Sequence, residues 1–218
     1  MVQGVIFDVD GTLVLSNDQH AQAWVDALAE FGYDVPFERV RPLIGMGGDK
    51  LMPEVVPGLN DEESPGKEIA KRRKEIFKER YLRTLTPANG SRQLLEHLKN
   101  AGVKIVIASS ATSEELSSLL QAAGVEELVE DATTSSDANE SKPAPDIVGV
   151  ALDKLKLQPE QTIMIGDTPY DVESAKGCGV GVVGVRCGGF SDDQLAGAVA
   201  IYDDPADILA HVKDSPLA

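Results

Sequence analysis

Cysteine is nearly absent. Cys178 and Cys187 are the only two in 218 residues, too few for a disulfide framework, so free thiols in a reducing compartment are expected. Positive charge is also short, with 20 Lys+Arg against 36 Asp+Glu and a net charge of −16. That balance favours solubility and excludes sequence-blind nucleic-acid binding, which needs a basic face. It leaves room for an anionic small molecule, because a metal ion or a lysine can reverse the field inside a pocket. No apolar run approaches the roughly 18 residues of a membrane helix. The first residues lack the basic-then-apolar pattern of a signal peptide. A cytoplasmic chain with no membrane partner is the expectation, and its oligomeric state is left open. Internal repeats and low-complexity tracts are missing too.

What is present is a series of short β-branched runs: Val5-Ile6-Phe7, Val103–Ala108, Thr162–Ile165 and Val180–Val185. Bounded by glycine or polar residues, they suit buried parallel strands. Helical patterns lie between them at 90–100, 112–123 and 144–156, the first two closing at Gly102 and Gly124. This alternation predicts an α/β, Rossmann-like doubly wound parallel sheet. From about 15 to 86 the alternation fails, and only helical stretches at 18–31, 36–43, 48–55 and 62–83 are visible. The expected organisation is a catalytic core of residues 1–14 and 87–218 with an all-helical cap at 15–86, hinged near Val14–Asn17 and Thr84–Asn89.

In such sheets ligands sit at the carboxyl ends of the strands. Asp8 and Asp10 follow the first run, Ser109 and Ser110 the second, and Gly166, Asp167 and Asp171 the third. A further loop carries Ser141-Lys142-Pro143-Ala144-Pro145-Asp146. Carboxylates gathered at one edge repel unless something neutralises them. An oxygen-only ligand set suits a hard cation, Mg²⁺ better than Ca²⁺ where few carboxylates are on offer. Lys142 and the serines then suit phosphoryl oxygens, and a carboxylate is a nucleophile that needs no base to deprotonate it.

Asp8-Val9-Asp10-Gly11-Thr12, Ser109, Lys142 before Pro143, and Gly166-Asp167-Thr168-x-x-Asp171 resemble, in order, the four motifs of the haloacid dehalogenase superfamily. The resemblance spans almost the whole chain, and the family's helical cap is inserted after the first motif. It implies a Mg²⁺-dependent phosphatase of a small phosphorylated metabolite, of the phosphoglycolate or sugar-phosphate type, working through an aspartyl-phosphate. Asp8 is then the nucleophile, and Asp10 the acid and base that protonates the leaving oxygen and activates water. Ser109, Ser110 and Lys142 hold the phosphoryl oxygens. Asp8, Asp10 (through its carbonyl) and Asp167 bind Mg²⁺, with Asp171 behind them orienting metal waters or Lys142. Asp10 separates phosphate-ester enzymes from the dehalogenases and phosphonate-cleaving members, which lack that second aspartate. A β-phosphoglucomutase-like isomerase shares every core motif and is the alternative. A non-catalytic phosphate-binding module is the rival from another class.

Within 15–86, His20 and Trp24 resemble a His-x-x-x-Trp stretch of the mutase-like members, implying that His20 faces the site; Trp24 alone also reads as core. Relatives often carry aspartate where this chain has Leu15. Gly45–Lys50 resembles the specificity loop, making Gly47 and Lys50 candidate substrate contacts. The mutase's distal-phosphate arginine has Gly48 in its place, which argues against isomerisation. Lys67–Arg83 holds eight Lys or Arg against three Glu; a solvated face accounts for most of it, and Arg73 is the candidate for substrate contact. Gly179-x-Gly181-x-x-Gly184 matches a dinucleotide fingerprint but lies within a strand-like run, where that fingerprint does not work.

Overall fold

A computed structural model describes residues 2–218. Six strands form one parallel sheet in the order β5-β4-β1-β6-β7-β8. They are β1 (Gly4–Phe7), β4 (Lys104–Ala108), β5 (Asp131–Thr133), β6 (Thr162–Gly166), β7 (Gly181–Val185) and β8 (Ala200–Tyr202). β1 lies at the centre, pairing in register with β4 on one side and β6 on the other. Side chains alternate across the sheet as the strand period requires. Val5, Phe7, Ile105, Ile107, Ile163 and Ile165 enter one buried cluster, and Ile6, Val106, Ala108 and Met164 the other.

Helices cover both faces. α5 (Ser91–Asn100), α6 (Ser113–Ala123) and α9 (Pro205–Ala210) bury Leu94, Leu116 and Ile208 in the first cluster. α7 (Asp146–Leu155) and α8 (Pro169–Gly177) bury Ile147 and Val172 in the second. The predicted doubly wound sheet is therefore present. β5 and β8 are not among the predicted strands: both are three residues long, β5 is Asp-Ala-Thr with no apolar run, and β8 closes the short run Ala198–Tyr202.

Between β1 and α5 the chain forms α1 (Asn17–Glu30), α2 (Phe37–Val40), α3 (Gly48–Val55) and α4 (Gly66–Ile76). The stretch expected as one helix over 62–83 is instead α4, a widened π turn at Phe77–Tyr81 and a 3₁₀ turn at Leu82–Thr84. Likewise 36–43 divides into α2 and a 3₁₀ turn at Arg41–Leu43, where Pro42 follows. At the two edges of this helical segment, β2 (Val14–Leu15) pairs antiparallel with β3 (Thr86–Pro87). The exposed Leu15 sits in that ribbon. No helix among the described residues is long and apolar enough to cross a membrane.

Candidate active site

Asp8 directly follows β1, Ser109 follows β4 and Asp167 follows β6. Because these strands are neighbours, their carboxyl ends place the three residues together at the point where the sheet order reverses. Lys142 reaches the same point from the loop before α7 with 1% of its surface exposed. Its Nζ donates to Asp8 Oδ1 (2.6 Å), Asp171 Oδ1 (2.7 Å) and the Ala108 carbonyl (2.8 Å). Asp171 is fixed at the start of α8 by a capping box: Thr168 Oγ1 accepts from its backbone N–H, and the Thr168 N–H and hydroxyl both donate to Asp171 Oδ2.

Asp167 is fully buried and receives Thr12 Oγ1 at 3.1 Å and Asn17 Nδ2 at 2.7 Å. Asn17 Nδ2 also donates to the Gly188 carbonyl. Gly11 and Gly188 press against this carboxylate so closely that a Cβ on either would lie 2.2 Å or less from Asp167 Oδ2. Gly11 also holds a φ of +79°, which favours glycine. Asp8, Asp167 and Asp171 bring carboxylate oxygens within 4.8 Å of one another. Burial, with Asp171 and Asp10 adding to it and Lys142 opposing, pushes Asp8 up to about 7. Burial and the neighbouring Asp8 and Asp171 hold Asp167 well above the usual carboxylate range. Three carboxylates against one ammonium leave an excess of negative charge on hard oxygen donors. The donor set therefore fits a small divalent cation of the Mg²⁺ kind.

Asp10, two residues on, has different surroundings. His20 Nε2 lies 2.7 Å from Asp10 Oδ1, and Ser16 Oγ donates to the same oxygen at 2.5 Å. Burial works to raise Asp10, but His20 and these hydrogen bonds outweigh it and hold the carboxyl below its ordinary value. The His20 ring stacks on Phe77 at 3.9 Å and 7°; Phe77 begins the π turn, a feature that often accompanies functional positions.

A cavity of about 50 Å³ opens onto Asp8 and Asp10, bounded by His20, Gly47, Arg73 and Ser110. Gly47 is packed too tightly for a side chain, a Cβ there falling 2.2 Å from Ser141 Oγ. Trp24 is buried, as expected of core, and Arg73 lies 5.4 Å from its ring. Ser109 is buried behind the cavity and accepts from the Ala111 N–H. Lys50 is not brought there. Its ammonium pairs with Glu140 at 2.7 Å on the exterior, a half-exposed contact that draws it away from the cavity.

Glu115 is the residue the sequence hid. Thr112-x-x-Glu115 has the spacing of a helix capping box, and α6 does begin there. Yet Thr112 makes no side-chain cap bond, and Glu115 turns to the cavity wall, where Arg73 Nη1 donates to its Oε1 at 2.5 Å. Ser16 and Asn17 are not among the sequence candidates, and Thr12 belongs to the first motif without its bond to Asp167 being legible there; small polar residues carry no distinguishing signal until their partners are known.

A family model described as haloacid dehalogenase-like hydrolase matches residues 5–185. Over 189 residues the chain is 31% identical to Protein SUPPRESSOR OF QUENCHING 1, chloroplastic, of Arabidopsis thaliana, covering 85% of this chain but 18% of that protein. It thus spans less than a fifth of that relative. It is 29% identical to the phosphoglycolate phosphatase of Rhodospirillum rubrum, covering 95% of this chain and 90% of that one. The crystal structure of a hydrolase from Pseudomonas syringae superposes with a TM-score of 0.91 at 28% identity, over 98% of this chain and 99% of that one.

Proposed function

The chain belongs to the haloacid dehalogenase-like hydrolase family, and from that premise we propose that it is a Mg²⁺-dependent phosphatase of a small phosphorylated metabolite. The observation that carries this is the division between two carboxylates at one strand end. Asp8 faces Lys142, and Asp10 faces His20 and Ser16. Asp8 attacks phosphorus in line and forms an aspartyl-phosphate as the ester oxygen departs. Asp10, held as a carboxylate by His20 and Ser16 in the free protein, takes up a proton as substrate binds; it gives that proton to the departing oxygen, then takes one from the water that hydrolyses the intermediate. Ser16 and His20, both on Asp10 Oδ1, fix the direction in which the proton moves. Lys142 and Ser109 hold the equatorial oxygens, with Ser110 beside them.

Asp8, the Asp10 carbonyl and Asp167 would hold Mg²⁺, which when bound neutralises the carboxylates and the phosphoryl oxygens. Residues 15–86 form the cap in this proposal, closing over the site and excluding water. An isomerase is less well supported, since the Gly45–Lys50 loop turns no cation toward the cavity and Lys50 is engaged by Glu140.

The test is release of phosphate from p-nitrophenyl phosphate and from a panel of phosphorylated metabolites, with Mg²⁺ and with chelator. Asp8→Asn is expected to lower turnover at least about a thousandfold, roughly 4 kcal/mol. Full turnover by that variant would overturn the nucleophile, and hexose 1-phosphate isomerisation without net phosphate release would overturn the phosphatase.

A further inference from the structure

Three buried side-chain atoms around the cavity lack a hydrogen-bond partner: His20 Nδ1, Arg73 Nε and Ser110 Oγ. Buried polar atoms are rarely left so, and here all three belong to residues that line one cavity beside Asp8 and Asp10. They border the space that the departing half of a phosphate ester would fill. The one guanidinium there is already paired. Arg73 comes from α4, Glu115 from the first turn of α6, and both are largely buried, at 16% and 11% side-chain exposure. Glu115 Oε1 also lies 3.9 Å from His20 Nδ1. The remaining charged lining residues are Asp8 and Asp10.

We propose that Glu115 is the specificity-determining residue of this site: by occupying Arg73 it admits an uncharged, hydroxylated leaving group and turns away one bearing a carboxylate or a second phosphate. This rests on the phosphatase assignment. An anionic leaving group would meet the Glu115 carboxylate directly, and the single guanidinium on that wall is already paired, so like-charge juxtaposition rejects it. A hydroxyl both donates and accepts, which matches Arg73 Nε as donor, Glu115 as acceptor and Ser110 Oγ as either. A second cleft, about 250 Å³, shares Glu115 and is lined by Glu75, Glu114 and Glu115 against Lys71, Lys74 and Lys78, an equal count. Neither space supplies the net positive charge that a dianionic leaving group needs.

The experiment compares kcat/KM for glycerol phosphate and neutral sugar monophosphates with that for phosphoglycolate and a sugar bisphosphate. It uses the wild type, Glu115→Gln and Glu115→Asp, with p-nitrophenyl phosphate as reference substrate. The expected wild-type preference for the uncharged class is at least about tenfold. Glu115→Gln should shift that ratio at least about tenfold toward phosphoglycolate, and Glu115→Asp should restore much of it. A wild type that prefers phosphoglycolate or the bisphosphate overturns the proposal while leaving the phosphatase assignment intact. So does a ratio unmoved in Glu115→Gln. Turnover of no ester at all, the reference included, overturns both. Should Glu115→Gln fail to fold, the wild-type ratio decides alone.

Discussion

Replacing Lys142 with Met tests the electrostatic frame of the site. The substitution keeps most of the aliphatic stem, so packing changes little. What it removes is one buried ammonium with contacts at 2.6, 2.7 and 2.8 Å to Asp8, Asp171 and the Ala108 carbonyl. Breaking a buried pair by deleting one partner costs about 3–5 kcal/mol. For a chain of this size that corresponds to a fall in Tm of about 6–20 °C. Protonation of the stranded carboxylates limits the loss, and this makes the cost depend on pH. Asp8 already sits at about 7 with Lys142 beside it; without that charge it rises further. A carboxyl raised above its unfolded value favours the fold at low pH and withdraws that support as pH climbs through the folded value. The wild type finishes losing Asp8's share near pH 7, whereas the variant goes on losing about 1.4 kcal/mol per pH unit and proton above it. The destabilisation should therefore be larger at pH 8.5 than at pH 6. Urea unfolding with chelator at both pH values measures it. Adding Asp171→Asn to the variant should recover about 1 kcal/mol or more, since one unpaired carboxylate disappears. A loss under about 1 kcal/mol at pH 8.5, or one equal at the two pH values, would refute the reasoning.

Mg²⁺ should raise Tm more at pH 8 than at pH 5.5, because the raised Asp8 and Asp167 hold protons at the lower pH that compete with the cation; a shift independent of pH, followed by differential scanning fluorimetry, would count against it. Asn17→Ala removes the 2.7 Å bond to Asp167 and should weaken Mg²⁺ binding by about 10–100-fold, read by calorimetric titration. Gly47→Ala would set a Cβ 2.2 Å from Ser141 Oγ, and activity should fall with the displaced loop while far-UV circular dichroism stays unchanged. Burial pushes the Cys187 thiol up to about 12, so in a Cys178→Ala variant Ellman's reagent at pH 7.5 should modify it at least about a hundredfold more slowly than a free thiol; rapid labelling of that folded variant would show its surroundings to be misjudged.

The sequence reveals unevenly what the fold contains. Runs such as Val5-Ile6-Phe7 declare themselves because both sheet faces are covered and every position must be apolar. Asp131-Ala132-Thr133 forms β5 at a sheet edge, where no such demand exists. Asp8, Asp10, Lys142 and Asp167 stand out by motif, and the strand order brings them together. Glu115 does not stand out, because its place in the first turn of α6 looks like ordinary helix capping and dipole compensation. Its partner Arg73 lies 42 residues away in the chain, so their meeting exists only in the folded molecule. Lys50 stands out and misleads: its loop carries it to Glu140, a partner that only the folded chain provides.

The first turn of α1 has a consequence for modular exchange of the helical segment. Ser16 sits at the helix N-cap position but spends its hydroxyl on Asp10 instead of on the helix. Asn17 spends its amide on Asp167, and His20 closes on Asp10. These residues follow β2 directly in the chain yet bond to carboxylates at the carboxyl ends of the central strands. A graft that replaced the segment from residue 15 onward would discard groups the recipient carboxylates depend on. One cut after His20 would keep them. Likewise, an insertion in the Gly58–Pro65 stretch lengthens a loop, whereas a single residue added between Leu15 and Asn17 turns Asn17 and His20 by about 100° around the helix and uncouples two carboxylates at once.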